Sequence, residues 1–367
     1  ARHYLSPNDM STERDLSGGW YDAGDFNKYT SWTAGYILSL LQAYSENPEV
    51  WTDDYNIPES GNGTPDIIDE ILWGLAHLER LQNDNGSMIS IVSLASASPP
   101  SSATGQSLYG NVNTSSTLAS AGVFAFASKV LGNYGMTTLA DRLKERAEKA
   151  WDWADANPNV IWRNNDAASG TKGIGAGQQE TDDYGRLSYK IRASVYLFEL
   201  TQKQKYHDYF LANYTNINMI QWNFVFPFQY KQQKTLLHYT KIPLANSIAK
   251  ENIINRFKIG VTKQHQLLSF QTSDDPYLAY IKDYTWGSNS TKMSQGLIFT
   301  DIKTYNIDAT LNDQAMEAAE EFIHYIHGRN PLSLMYLSNM NNKGASNSVS
   351  QFYHSWFKNG SNLWDEV

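Results

Sequence analysis

The chain has 367 residues, no cysteine and a formal net charge of −9 at pH 7. The lack of cysteine excludes a disulfide framework, a cysteine-ligated zinc site and a thiol nucleophile, and the acidic charge argues against nucleic acid or an anionic membrane as a partner. The 11 Trp, 23 Tyr and 14 Phe are notable, because aromatic rings can stack on the apolar faces of sugars. The composition therefore fits a carbohydrate-binding protein, with a large aromatic core as the alternative.

Apolar residues recur at helical spacing in six stretches of the chain, which are residues 37–44, 67–81, 118–130, 143–151, 187–198 and 315–326. Thr64 and Pro65 predict the start of the second helix, with Thr64 as N-cap and Pro65 at the first helical position. Asp66, Asp69 and Glu70 then fall in its first turns, where the helix dipole favours acidic side chains.

Strand patterns are scarce, and residues 87–92 form one short candidate. Residues 216–239 are aromatic and are predicted to be irregular, and the loops at 89–113 and 336–367 are long enough to be functional. Helices joined by long loops predict an all-α barrel or array, and the lack of a repeat argues against a regular solenoid. No run of 18 apolar residues occurs, so no transmembrane helix is predicted.

Two carboxylates three residues apart are the sharpest chemical signal in the chain. Residues 18–29 have the sequence Gly-Gly-Trp-Tyr-Asp-Ala-Gly-Asp-Phe-Asn-Lys-Tyr, which contains Asp22 and Asp25. Two acids in a tight turn can hold one water molecule, and glycoside hydrolysis needs a carboxylate that removes a proton from water. Spacing alone leaves two alternatives open, an Asx turn and a Ca²⁺-binding loop.

The same stretch resembles the signature that opens the catalytic module of family 9 glycoside hydrolases. Three further stretches resemble segments of that family in the same order, and these are residues 57–70 (IPESGNGTPDIIDE), 284–289 (YTWGSN) and 328–331 (GRNP). The resemblance implies one family 9 catalytic domain over residues 1–367, an all-α fold of the (α/α)6 six-hairpin type, and inverting hydrolysis of β-1,4-glucans such as cellulose. It implies no required cofactor.

The resemblance also implies roles for individual residues. Asp25 corresponds to the base, and Asp22 is its partner in holding the water. The side chains that would line or shape the substrate cleft are Trp20, Tyr29, Trp286, Tyr353 and His354. A core tryptophan is the alternative interpretation of Trp286. The family usually has His-His-Arg where this chain has Tyr353-His354-Ser355, so the arginine contact has no counterpart here.

The general acid of the family is a glutamate some tens of residues after this histidine, and we expect it beyond Val367. The resemblance also implies that the chain begins about one helix into the family module. Residues 177–183 form an acidic loop before a helix; there we expect a solvated helix N-terminus, with Ca²⁺ as the structural metal if the loop binds one.

The partner that we expect is an oligo- or polysaccharide, and the expected location is outside the cytoplasm, secreted or periplasmic in a bacterium. Two alternative functions stay open. One is an exo-acting β-glucosidase or glucosaminidase of the same family. The other is a glycan-binding relative without catalysis.

Overall fold

The computed structural model describes residues 1–22, 25–94, 105–338 and 340–349. Of these described residues, 57% lie in helices and 6% in strands, which confirms the prediction that helices dominate. The chain divides into two compact units, and the boundary between His207 and Asp208 lies within one helix. None of the helices in the described ranges is long and apolar enough to cross a bilayer.

Five helices form most of the first unit, and these are α1 (Thr30–Glu46), α2 (Asp66–Leu81), α3 (Thr114–Tyr134), α4 (Thr137–Ala156) and α5 (Asp183–Thr201). The helix α3 is buried along most of its length and packs against α1, α4 and α5. Its small residues allow this close packing, since a Cβ added at Gly122 would lie 3.3 Å from Cγ of Arg192 on α5. The helix α6 (Gln204–Asn213) follows.

The start of α2 differs by one residue from the prediction. The helix begins at Asp66, and Pro65 rather than Thr64 occupies the N-cap position, with no side-chain capping hydrogen bond. The reason is local, because the side chain of Asn62 accepts a hydrogen bond from the Thr64 N–H at 2.7 Å and holds Thr64 in an Asx turn outside the helix. Asp66 and Asp69 lie in the first turn, as predicted.

A small four-stranded sheet lies at the start of α1. It contains β1 (Arg2–His3), β2 (Lys28–Tyr29), β3 (Ile91–Leu94) and β4 (Ser107–Tyr109) in the order β1-β4-β3-β2. The strand predicted at residues 87–92 is therefore only partly confirmed, since it extends beyond 92 and residues 88 and 89 form isolated bridges. Lys28 pairs with Val92 and Tyr29 with Ile91, which fixes the chain between Asp25 and α1.

The second unit contains α7 (Asn218–Trp222), α8 (Tyr230–Tyr239), α9 (Ser247–Val261), α10 (Leu267–Thr272), α11 (Ser288–Thr304) and α12 (Asn312–Ile326). Two short strands follow, β5 (Met335–Ser338) and β6 (Ser348–Val349).

The prediction that residues 216–239 are irregular is wrong, because α7 and α8 lie there. Tertiary packing explains the helix α8, in which Tyr239 stacks on Phe210 at 3.9 Å and Lys234 forms a buried ion pair with Asp301 at 2.5 Å.

Candidate active site

The two aspartates of the motif are connected through the backbone of Asn27. The N–H of Asp22 donates to the Asn27 carbonyl at 3.0 Å, and the N–H of Asn27 donates to Oδ1 of Asp25 at 3.1 Å. Asn27 is itself fully buried, and its Oδ1 accepts a hydrogen bond from the Ser93 hydroxyl on β3 at 2.6 Å. One residue anchored to the sheet therefore positions the Asp25 carboxylate and the backbone of Asp22. We call residues 22–27 the aspartate loop; its residues 23 and 24 lie outside the described residues.

The two carboxylates have different surroundings. Asp25 is only 3% exposed. Its Oδ1 accepts the Asn27 N–H, whereas its Oδ2 has no hydrogen-bond donor in the part of the chain that the structure describes. Asp22 is partly buried, and its Oδ1 accepts a hydrogen bond from the Tyr36 hydroxyl on α1 at 2.7 Å. Burial and this hydrogen bond raise the pKa of Tyr36, so the phenol stays protonated and remains a donor to Asp22.

Tyr29 lies beside both aspartates but is 1% exposed. Burial raises the pKa of Tyr29 to about 12, and the charges of Asp25 and Asp22 add to this shift. The Tyr29 hydroxyl accepts hydrogen bonds from the backbone N–H groups of Ala176 and Gly177 at 2.9 and 2.7 Å. Tyr29 thus shapes the wall beside the aspartates by holding a loop in place, and it presents no exposed ring face to a substrate in this structure.

Trp20 is partly buried and is held from two sides. Its Nε1–H donates to Glu70 on α2 at 3.0 Å, and its ring packs edge-on against Tyr36 with centroids 6.4 Å apart. A Cβ added at Gly74 of α2 would lie 2.4 Å from the Trp20 ring, so only glycine leaves room for it. Trp20 therefore supports Tyr36, the residue that donates to Asp22.

An open cavity of about 860 Å³ borders the aspartate loop in the first unit. Tyr21, Phe26 and Lys28 line it on the loop side. The Tyr21 and Phe26 rings pack edge to face at 5.0 Å, and the Lys28 ammonium lies 4.7 Å from the centre of the Tyr21 ring. A cavity of this size, with aromatic and charged side chains in its lining, can accept a small ligand.

Trp286 belongs to the second unit and is 92% exposed, which excludes the alternative interpretation as a core tryptophan. The segment before it is anchored by Lys292 of α11, whose Nζ is buried and donates to the Ala279 carbonyl and to the Tyr284 hydroxyl. The rings of Tyr284 and Tyr325 lie 5.0 and 4.0 Å from this Nζ. Burial lowers the pKa of Lys292 to about 8.

Tyr353 and His354 lie outside the described residues. Their predicted place beside the aspartates, and their predicted contact with substrate, stay predictions.

The carboxylates of the acidic loop at residues 177–183 bind other groups of the protein. Glu180 is buried, accepts hydrogen bonds from Asn113 at 2.8 Å and the Trp162 N–H at 3.1 Å, and pairs with Arg186. Asp182 caps α5 by accepting the Gly185 N–H. The expected helix N-terminus therefore lies here, with Asp182 as its N-cap, but Glu180 is buried and not solvated as predicted.

A different group of acids has the spacing that a metal ion needs. One carboxylate oxygen from each of Asp53, Asp66 and Asp69 lies within 4.8 Å of the others, and oxygen ligands of this kind suit Ca²⁺. The structural Ca²⁺ ion considered for residues 177–183 stays a prediction, and none was predicted at these three aspartates.

Sequence reasoning missed four residues that organise the site, which are Asn27, Tyr36, Glu70 and His77. Asn27 lies inside the recognised motif, so its backbone role could have been suspected from its position between the second aspartate and β2. The contacts of the other three are made by tertiary packing across 14 to 60 positions of sequence, which no local pattern shows.

Two curated relatives and one solved structure place the chain among known proteins. The chain is 24% identical to a cellulose 1,4-beta-cellobiosidase from Acetivibrio thermocellus, over 93% of this chain and 41% of the relative. It is 26% identical to a xyloglucan-specific endo-beta-1,4-glucanase from Bacteroides ovatus, over 89% of this chain and 56% of the relative. The chain thus spans about half the length of these curated relatives.

The structure resembles the crystal structure of a metagenome-derived glycoside hydrolase family 9 endoglucanase. The TM-score is 0.78 at 23% identity, over 95% of this chain and 61% of that one. The likeness confirms the predicted all-α fold of the (α/α)6 type. A sequence model of glycosyl hydrolase family 9 matches residues 2–363. As the four motifs predicted, the chain belongs to glycosyl hydrolase family 9.

Proposed function

We propose that the protein hydrolyses β-1,4-glycosidic bonds in glucans with inversion at the anomeric carbon, and that Asp25 is the general base. The observation that carries this proposal is the state of the Asp25 carboxylate. It is almost fully buried, with Oδ1 fixed by the Asn27 N–H and Oδ2 without a donor among the described residues. A carboxylate held in this way offers one oriented oxygen to a water molecule.

The chemistry follows from this geometry. The water oxygen attacks the anomeric carbon while Oδ2 of Asp25 takes its proton, and the bond from that carbon to the leaving oxygen breaks. Asp22, held by Tyr36, orients the same water from the other end of the loop. A separate carboxylic acid protonates the leaving oxygen, and we assign no residue of this chain to that role.

The substrate class is supported by the relatives and by the site. The names of both curated relatives describe action on β-1,4-linked glucans. Two aromatic residues, Tyr21 and Phe26, line the cavity beside the aspartate loop, and glucose rings can stack on aromatic side chains. Because polymeric glucan substrates are located outside the cytoplasm, we also propose that the protein acts there.

The test is a comparison of Asp25→Asn, Asp22→Asn and wild type in the full-length protein on a soluble β-1,4-glucan. Asp25→Asn should lower kcat by roughly 10²–10⁴-fold, because an amide cannot accept the proton from water. The affinity for a cello-oligosaccharide should stay near that of wild type, because the amide keeps the size of the carboxylate. Asp22→Asn should cost less, because Asp22 orients the water without accepting its proton.

Asp84→Asn is the matched control, since it makes the same chemical change at an exposed position after α2. It should leave both kcat and affinity unchanged. Wild-type turnover in Asp25→Asn would refute the assignment of the base.

A further inference from the structure

One face of α2 contacts the chain immediately before the aspartate loop. The side chains on this face follow a spacing of three, four and three residues, which places them in one row along the helix. We call this row the α2 clamp, and its members are Glu70, Trp73, His77 and Arg80. We call residues 17–20, which they contact, the approach segment.

Three of the four clamp residues bind backbone carbonyls of the approach segment. Trp73 Nε1 donates to the Gly19 carbonyl at 3.1 Å. His77 Nδ1 and Arg80 Nη1 both bind the Ser17 carbonyl, at 3.1 and 3.3 Å. The fourth residue, Glu70, accepts the indole N–H of Trp20, as described above. These four contacts are all directed at the four residues that precede Tyr21, and Arg80 also pairs with Asp15 at 3.5 Å.

The fit between the two elements is close. Gly18 and Gly19 have φ values of +88° and +67°, which favour glycine. A Cβ added at Gly19 would lie 2.6 Å from Cδ2 of His77, so the histidine ring occupies the space that a side chain would need. On the other side, Gly74 of α2 makes room for the Trp20 ring. Each element therefore has a glycine where the other inserts a ring.

The state of His77 suits a fixed contact. The ring is fully buried. Because a carbonyl oxygen can only accept, Nδ1 carries the proton that binds the Ser17 carbonyl. Burial lowers the pKa of His77 to about 4, and the nearby charges of Lys28 and Arg80 also disfavour a second proton. The imidazole therefore stays neutral near pH 7 and keeps one directional hydrogen bond.

We propose that the α2 clamp positions the catalytic water by fixing Trp20, and that Glu70 is the positioning residue of this device. The contacts form a continuous path, from Glu70 to the Trp20 indole, from the Trp20 ring to Tyr36, and from the Tyr36 hydroxyl to Asp22. Glu70 touches no reacting atom in this account and acts through Trp20. The inference rests on the proposed function, because it concerns the same pair of aspartates.

The test compares Glu70→Met and Glu70→Gln in the full-length protein. Met keeps the length of the side chain but cannot accept the indole proton strongly, whereas Gln keeps an acceptor oxygen. Glu70→Met should lower kcat roughly 10-fold with KM within about twofold, since small errors in the position of a reacting group are costly. Glu70→Gln should recover most of the activity.

The matched control is Ile71→Val, a mild change at a fully buried position on the opposite face of α2. It should lower Tm at least as much as Glu70→Met while kcat stays near wild type, which separates positioning from general loss of stability. A double-mutant cycle with Trp20→Phe gives a second readout. After Trp20→Phe removes the indole N–H, Glu70→Met should have little further effect on kcat.

Additive effects in this cycle, or a wild-type kcat in Glu70→Met, would overturn the inference. Asp25→Asn, measured in parallel, keeps the two proposals distinct. If Asp25→Asn loses turnover and Glu70→Met does not, only the clamp inference fails. If Asp25→Asn keeps full turnover, the assignment of Asp25 as the base is refuted, whatever the result for Glu70→Met.

Discussion

Tyr36 shows how a single hydroxyl can adjust the site. Its ring is partly exposed on α1 and packs against Trp20, while its hydroxyl donates to Oδ1 of Asp22 at 2.7 Å. A hydrogen bond to a charged acceptor contributes about 1.5–3 kcal/mol. Because the pKa of Tyr36 is raised above its ordinary value, the phenol keeps its proton over the pH range of an activity assay.

Tyr36→Phe is therefore expected to lower kcat roughly 10-fold. Water replaces part of the lost hydrogen bond, and a tenfold change in rate corresponds to about 1.4 kcal/mol. The ring contact with Trp20 is kept, so KM should change little, while the free energy of unfolding should fall by no more than about 3 kcal/mol. Steady-state kinetics on a soluble β-1,4-glucan measure the effect. Tyr44→Phe, two turns further along α1, is the control. If the two variants have the same kcat, Tyr36 does not position Asp22.

At the scale of the element, α2 combines a core face with the clamp face. The apolar residues that predicted the helix are buried on one side, and His77 is buried on the other. The folded state holds the His77 pKa at about 4, against 6.5 for a free histidine. Between these two values the unfolded chain binds a proton that the folded chain excludes, so stability falls as the pH decreases from 6.5 to 4.

This linkage predicts a loss of about 3 kcal/mol in the free energy of unfolding from His77 alone over that interval. Well above pH 6.5, His77 should contribute no pH dependence to the free energy of unfolding. Urea unfolding of wild type and His77→Asn at several pH values measures the effect, because other titrating groups cancel in the difference. The two curves should converge as the pH falls. Parallel curves would show that His77 is not held neutral by the fold.

The same helix shows what sequence can and cannot predict. The helical spacing of its apolar residues and its acidic first turn are predictable from residues 64–81. The predicted start differs from the observed one by one residue, because the Asn62 side chain accepts a hydrogen bond from the Thr64 N–H. The residues of the clamp were not predictable, because their partners lie about 50 to 63 positions earlier in the chain. The helix α8 was missed for a similar reason, since its stability depends on partners such as Phe210 and Asp301.

At the scale of the whole molecule, four dispersed motifs predicted the family, and the family model covers residues 2–363. The aspartate pair is predicted because its chemistry and its family signature coincide in one short stretch. The exposure of Trp286 and the burial of Tyr29 were not predictable, because an aromatic residue in a motif can serve either as a binding surface or as support. Composition could suggest a sugar-binding protein but could not separate these roles.

We propose above that Asp25 activates a water molecule for direct attack on the anomeric carbon. Direct attack inverts the configuration, whereas a covalent intermediate on a carboxylate retains it. Proton NMR of the first product released from a soluble β-1,4-glucan by the full-length protein distinguishes the two outcomes before the anomers equilibrate. We expect the α anomer as the initial product. An initial β anomer would contradict it.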